Sequence, residues 1–238
     1  MSDTPDVRFW FDPVCPFAWM TSKWLRMVQE QRGDAVEWRF ISLRLLNKDV
    51  DYDAHFPPEY EDGHTAGLRM LRVAAHVRDE AGPDAVSRFY PALSSQVFEV
   101  GEGVYDPTDI DGLVRHALRE VGLDEDLARH LDDESRDAQI QEETDEALAL
   151  TGKDVGTPIL HIAPPEGAAF FGPVISRLPS AEEALTLWDH VVGLATFPGF
   201  TELKRSLRER PQLPSFGVEE GGVGVTEDWH GGSRRQKK

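Results

Sequence analysis

Apolar and polar positions alternate between two periods along this chain, and the changes of period mark out its elements. Val7-Arg8-Phe9-Trp10-Phe11 is a short run of β-branched and aromatic residues, the pattern of a buried strand. From Phe17 the period lengthens: Trp19, Met20, Trp24, Leu25 and Val28 recur at helical spacing until Gly33 stops them. Residues 36–43 return to strand alternation. A strand, a helix and a strand in this order form a βαβ unit with parallel pairing and a right-handed crossover. Arg44 to Pro58 reads as a loop closed by Pro57-Pro58.

Residues 61–151 read as almost wholly helical. Leu68, Leu71, Ala74, Ala75 and Arg78 trace one helix, ended by Gly82-Pro83. A second runs from Asp84 to Val100, with Pro91 placed to kink it. A third is expected to start at an N-cap, Thr108, and to carry the stripe Ile110, Leu113, Val114, Ala117, Leu118 and Val121 as far as Gly122. Asp124 to Leu131 makes a short helix. A last stripe, Ile140, Thr144, Ala147, Leu148 and Thr151, ends at Gly152.

Strand patterns then return. Ile159-Leu160-His161-Ile162 follows the turn Gly156-Thr157-Pro158, and 168–171 is its hairpin partner. Ser180 and Glu183 form a capping box ahead of a helix whose face is Ala181, Ala184, Leu185, Trp188, Val191, Val192 and Ala195. A short helix is expected over Phe200–Arg208. Beyond it the chain turns Gly-rich and poor in apolar residues, the composition of a disordered tail. The organisation expected is therefore α/β: a core split into 1–50 and 153–212, a helical insertion at 51–152, and a tail at 213–238.

Composition narrows the function. With 25 basic and 43 acidic residues the formal net charge is −18, which disfavours nucleic acid and anionic membranes as partners. The N-terminal residues have neither the basic nor the apolar stretch of a signal peptide, and no apolar run approaches the ~20 residues of a membrane span. One cysteine excludes an intramolecular disulfide framework. The expected address is the reducing cytoplasm.

That cysteine, Cys15, falls where the first strand ends and the first helix begins, with Pro16 pre-set for the first helical turn. Amide N–H groups at a helix N-terminus favour negative charge and so favour thiolate over thiol. A small buried hydrophobe is the alternative reading. Phe17, in the first turn, is expected to be partly exposed and able to stack on a flat aromatic substrate. Trp10, Trp19 and Trp24 read mainly as core, with Trp19 also a pocket candidate. Arg44 and Asn47 follow the second strand at the sheet edge that carries Cys15, where open α/β sheets bind ligands; a solvated loop is the alternative for both. No two of the eight histidines stand at the i, i+4 spacing of a helical metal pair, and no nucleotide or serine-hydrolase motif is present, so neither metal nor nucleotide is expected. His161 reads as a packed residue rather than a base for Cys15.

The segment 9–19 resembles the active-site segment of DsbA-like thioredoxin-fold oxidoreductases, and more narrowly the actinobacterial mycothiol-dependent nitroreductases. The segments 41–43, 154–158, 170–174 and 200–205 extend the resemblance over about residues 7–212. The resemblance implies a thioredoxin fold with a helical insertion, a nucleophilic Cys15, a cis-proline at Pro158 facing it (sequence statistics alone favour trans), a Thr157 backbone able to pair with a thiol ligand, and mycothiol as co-substrate. The family motif is Cys-Pro-Trp-Cys, whereas this chain reads Cys15-Pro16-Phe17-Ala18. The function expected is thus a monothiol oxidoreductase that uses a low-molecular-weight thiol on small oxidised substrates such as nitroaromatics. The alternatives are a thiol transferase or isomerase like the kappa-class glutathione transferases, and a redox-inactive binding module. A homodimer is compatible with the sequence.

Overall fold

A computed structural model describes residues 4–152, 155–205 and 207–228. Strand β1 (Val7–Phe11) is followed by α1 (Pro16–Arg32) and β2 (Val36–Phe40). Gly33 ends α1 with φ 77°, a left-handed angle that a side chain would disfavour. β1 pairs in parallel with β2, as a βαβ unit requires. β1 also pairs antiparallel with β3 (Ile159–Ile162), and β3 antiparallel with β4 (Ala169–Phe171). The sheet order is β2-β1-β3-β4. With α1 and α8 (Ala181–Ala195) packed on each other, this is the expected thioredoxin-type core. α8 opens with the expected Ser180–Glu183 capping box.

Between β2 and β3 lie α2 (Leu43–Leu46), α3 (Tyr52–His55), α4 (Glu59–Ala81), α5 (Pro83–Phe98), α6 (Asp111–Glu120), two 3-10 segments (Glu125–Asp132 and Glu134–Arg136) and α7 (Asp137–Thr151). α7 is tied to the end of β2. Glu143 accepts the Phe40 N–H at 2.8 Å, and Thr144 Oγ1 accepts the Ser42 N–H at 3.1 Å. These bonds satisfy backbone donors that the sheet leaves over where β2 ends. One apolar cluster runs from the β1–β2 face through α1, α4, α5 and α6. The helical segment therefore shares its core with the sheet.

Several expectations fail. The loop over Arg44–Pro58 contains two single-turn helices, each started by a local cap: Ser42 on the Leu45 N–H and Asp51 on the Ala54 N–H. Thr108 is not an N-cap. Its N–H and hydroxyl both bond Asp106 Oδ1, and α6 begins at Asp111 instead. No helix forms among the described residues of 200–208, where Leu203 is exposed; Leu207–Glu209 forms β5, paired with β6 (Thr226–Asp228). The tail expected from 213 is ordered over its described part. Leu213 and Val218 are buried, and Pro214–Phe216 forms a 3-10 turn. The basic end of the tail lies outside the described residues.

Candidate functional site

The site grows from the loop between β1 and α1. Asp12, fully buried, gives one carboxylate oxygen to the Val14 N–H at 3.0 Å and the other to the Leu43 N–H at 2.8 Å. It thereby joins the loop after β1 to the loop after β2. Its carbonyl accepts the Cys15 N–H at 3.0 Å. From the insertion, Ser94 on α5 donates to the Pro13 carbonyl at 3.1 Å. Cys15 is held at the N-cap of α1, where its Sγ accepts the Ala18 N–H at 3.4 Å.

On its other side the thiol donates to the Thr157 carbonyl at 3.4 Å. Thr157 is anchored by its own hydroxyl, which donates to the Trp10 carbonyl at 3.0 Å. The Thr157–Pro158 peptide is cis. The structure thus brings Cys15, Pro16, Thr157 and Pro158 together from opposite ends of the chain.

The charge state of Cys15 corrects the sequence reading. The thiol is only 7% exposed. Burial pushes it up to about 12; the Ala18 and Phe17 N–H groups pull it down, but by less, and the nearby Asp12 charge adds to the rise. Desolvation outweighs the helix terminus here, so the resting form is the protonated thiol. Asp12 is raised by the same burial to about 7, against the pull of its two amide donors.

The other sequence candidates divide. Phe17 is buried in the main core and not partly exposed, because the helical segment covers the first turn of α1. Trp19 is buried as well. Its indole N–H donates to Glu99 at 2.7 Å, and its ring meets Tyr90 edge-on at 5.9 Å. Arg44 lies on α2, paired with Glu61 at 3.0 Å, its guanidinium 5.0 Å from the Tyr52 ring. Asn47 caps its own helix by donating to the Leu43 carbonyl at 2.7 Å. His161 is buried in β3, opposite Arg8 and Ala169.

Asp12, Ser94 and Tyr90 were missed as site residues. Asp12 was visible three residues before Cys15; Ser94 and Tyr90, whose ring stacks on Phe11 at 3.8 Å, carry no sequence signal. A cavity of about 380 Å³ opens at the other end of β1, against Asp6, Ile162 and Trp188. It is remote from the thiol.

Residues 14–205 match the Rv2466c-like family, described as mycothiol-dependent nitroreductase Rv2466c. Protein Rv2286c of Mycobacterium tuberculosis, described as uncharacterized, is 32% identical over 200 residues, covering 84% of this chain and 81% of that protein. Among solved structures, 2-hydroxychromene-2-carboxylate isomerase aligns with a TM-score of 0.52 at 15% identity, over 79% of this chain and 94% of that one. Cytosolic disulfide reductase DsbM from Pseudomonas aeruginosa aligns with a TM-score of 0.50 at 15% identity, over 79% of this chain and 99% of that one. At these identities the structural likenesses bear on the fold.

Proposed function

The chain belongs to the Rv2466c-like family of mycothiol-dependent nitroreductases and is a thiol-dependent oxidoreductase; from that premise we propose that it works through one cysteine, Cys15, with a low-molecular-weight thiol, mycothiol, supplying the second sulfur. The observation that supports this is the contact of the Cys15 thiol with the Thr157 carbonyl, in a chain whose position 18 is alanine.

The resting thiol is protonated and enclosed. A disulfide substrate that seats against Thr157 displaces the S–H contact, the freed thiol gives its proton to solvent, and the α1 N–H groups stabilise the thiolate that forms. The thiolate attacks one substrate sulfur; the substrate S–S bond breaks, one half leaves as thiolate, and the other remains as a mixed disulfide on Cys15. Thiolate of the small thiol attacks the substrate sulfur of that mixed disulfide, releases the Cys15 thiolate and departs bonded to the substrate half; a second small thiolate then frees that half and leaves as the small thiol's own disulfide. The substrate disulfide gains two electrons, one from each of two small-thiol equivalents when its halves are both released. Nitro-group reduction is the family's named chemistry; nitroaromatics are the substrates proposed for this chain, and the reducing cytoplasm is the compartment where such a thiol is kept reduced.

A second reading is favoured by the isomerase-like fold together with Ala18: a transferase or isomerase in which Cys15 is never oxidised. Incubation with mycothiol disulfide, followed by intact mass, separates the two. The oxidoreductase reading expects a one-to-one adduct at Cys15, absent in Cys15→Ser and released by reduced mycothiol. Turnover that survives in Cys15→Ser would overturn it in favour of the second reading.

A further inference from the structure

We propose that the helical segment carries a second site, independent of Cys15: a mononuclear divalent-cation site of zinc-type nitrogen and oxygen chemistry, ligated by His76, Glu80 and His130 and braced by Asp133. His76 and Glu80 stand one turn apart on α4, and so share a face. His130 comes from the 3-10 segment Glu125–Asp132, which packs on α4. One ligand atom from each of the three lies within 4.8 Å of the others. Zinc holds imidazole nitrogen at about 2.0–2.1 Å and carboxylate oxygen at about 2.0–2.2 Å, usually as a tetrahedron. Bringing the three ligand atoms onto one ion requires the two imidazole rings to turn out of their present arrangement.

Asp133 supplies the independent argument. Its Oδ2 is 3.0 Å from His76 Nε2 and 3.2 Å from His130 Nδ1, while Oδ1 accepts the Ser135 N–H at 3.0 Å. A carboxylate only accepts, so a neutral His130 that bonds it donates through Nδ1 and keeps a lone pair on Nε2. That Nε2 atom is buried and has no hydrogen-bond partner among the described residues. A carboxylate that fixes the tautomer of a histidine whose other nitrogen is free is the outer shell that metal-ligating histidines use. The neighbouring cations are already neutralised: Arg136 pairs with Asp79 at 2.7 Å and Arg72 with Asp137 at 2.7 Å.

The two rings stack, with centroids 3.6 Å apart and planes 17° from parallel. Lone pairs of parallel rings do not converge, so ion binding must splay the stack, and that gives a readout beyond affinity. Sequence reading missed this site because it sought two histidines one turn apart. The pair on α4 is His–Glu, and the second histidine is 54 residues away from the first.

The test uses the full chain with Cys15→Ser, so that no thiolate competes. Zn²⁺ is titrated calorimetrically, Co²⁺ is followed in the visible spectrum, and the histidine ring resonances are followed by NMR. The expected result is one ion per chain, a nitrogen–oxygen Co²⁺ spectrum, and shifts of the His76 and His130 rings. Glu80→Gln and His130→Ala should each weaken Zn²⁺ by at least about tenfold, the lower end of what outer-shell losses alone cost. His116→Ala should change nothing; that residue stands beside Glu120 at 3.9 Å on the exposed face of α6. Glu80 is exposed, so its variant is expected to fold even if the His130 variant does not. Absence of saturable binding, affinity indifferent to Glu80→Gln, or affinity lost in His116→Ala would each overturn the proposal.

Discussion

Cys15 and Thr157, 142 residues apart in sequence, meet at 3.4 Å, with the thiol donating to the Thr157 carbonyl. The one cysteine of the chain is buried at this contact. This burial therefore sets the ground state from which any thiol chemistry has to start.

Cys15 in the free reduced protein is expected to be a slow nucleophile at neutral pH. Burial holds the thiol up at about 12, against about 8.5 for a free cysteine. Iodoacetamide modification followed across pH should show a midpoint above that of the same chain in denaturant. The sign is fixed by the cause, because enclosing an acid disfavours its charged form. A midpoint below about 7, in the range of activated thiolates, would show instead that the helix terminus prevails over burial in solution.

Ala18→Cys should restore a dithiol. The Ala18 N–H lies 3.4 Å from Cys15 Sγ, and the side chain at 18 is on the same helix face one turn along. Mild oxidation of the variant is expected to give an intramolecular disulfide, read as loss of both free thiols and two mass units. Ala18 is fully buried, so the added sulfur should cost about 1–3 kcal/mol in the reduced state. Two thiols that persist under oxidation would mean that the geometry does not permit the bond.

Much of this was legible in the sequence, and what was not has physical reasons. β1, α1, β2 and the capping box of α8 are written in local periodicity and local caps. Val7–Phe11 cannot face water, and Ser180 with Glu183 satisfies its own helix start. The position of Cys15 followed from the same local rules. Its pKa did not, since burial depends on the helical segment and the Thr157–Pro158 turn folding over it. Phe17 misled for the same reason: its exposure is decided by a distant helix. Leu207 and Arg208, placed by periodicity at the end of a helix, pair in β5 instead; that pairing was not legible because their partner, Thr226–Asp228, lies in a stretch whose composition looks disordered.

Asp12 should make the protein lose stability as pH rises through the weakly acidic range. Its folded value of about 7 lies above its ordinary 3.8. The native state therefore keeps a proton that the unfolded chain releases between about pH 4 and 7. Where the native state binds more protons, stability falls as pH rises. The loss here is up to about 4 kcal/mol, at about 1.36 kcal/mol for each tenfold difference in proton affinity between the two states. Urea unfolding at pH 5 and pH 8 should show a smaller pH dependence in Asp12→Asn, which has no charge to bury. Parallel curves for the two proteins would contradict the assignment. Asn offers only one acceptor to the Val14 and Leu43 N–H groups, so the variant should also be weaker by about 1–3 kcal/mol at pH 5.

Two glycines on α4 give the sharpest test of how the insertion is fitted to the site. A Cβ at Gly63 would meet nothing within 4 Å among the described residues, whereas one at Gly67 would lie 2.5 Å from Asp12 Oδ1 and 2.7 Å from Val14 Cγ2. Glycine within a helix ordinarily costs about 0.5–1 kcal/mol relative to alanine. Gly63→Ala should accordingly stabilise the protein by about that amount. Gly67→Ala gains the same helix propensity, but it must push α4 off the loop that carries Asp12 and Cys15. Asp12 cannot swing aside, since its carboxylate is held by two backbone donors. Net destabilisation of about 1–3 kcal/mol is expected, as for other overpacked cores, together with faster modification of Cys15 as the cleft loosens. If both substitutions stabilise alike, α4 is not seated against the Asp12 loop in solution, and the enclosure that raises the Cys15 thiol is looser than its contacts imply.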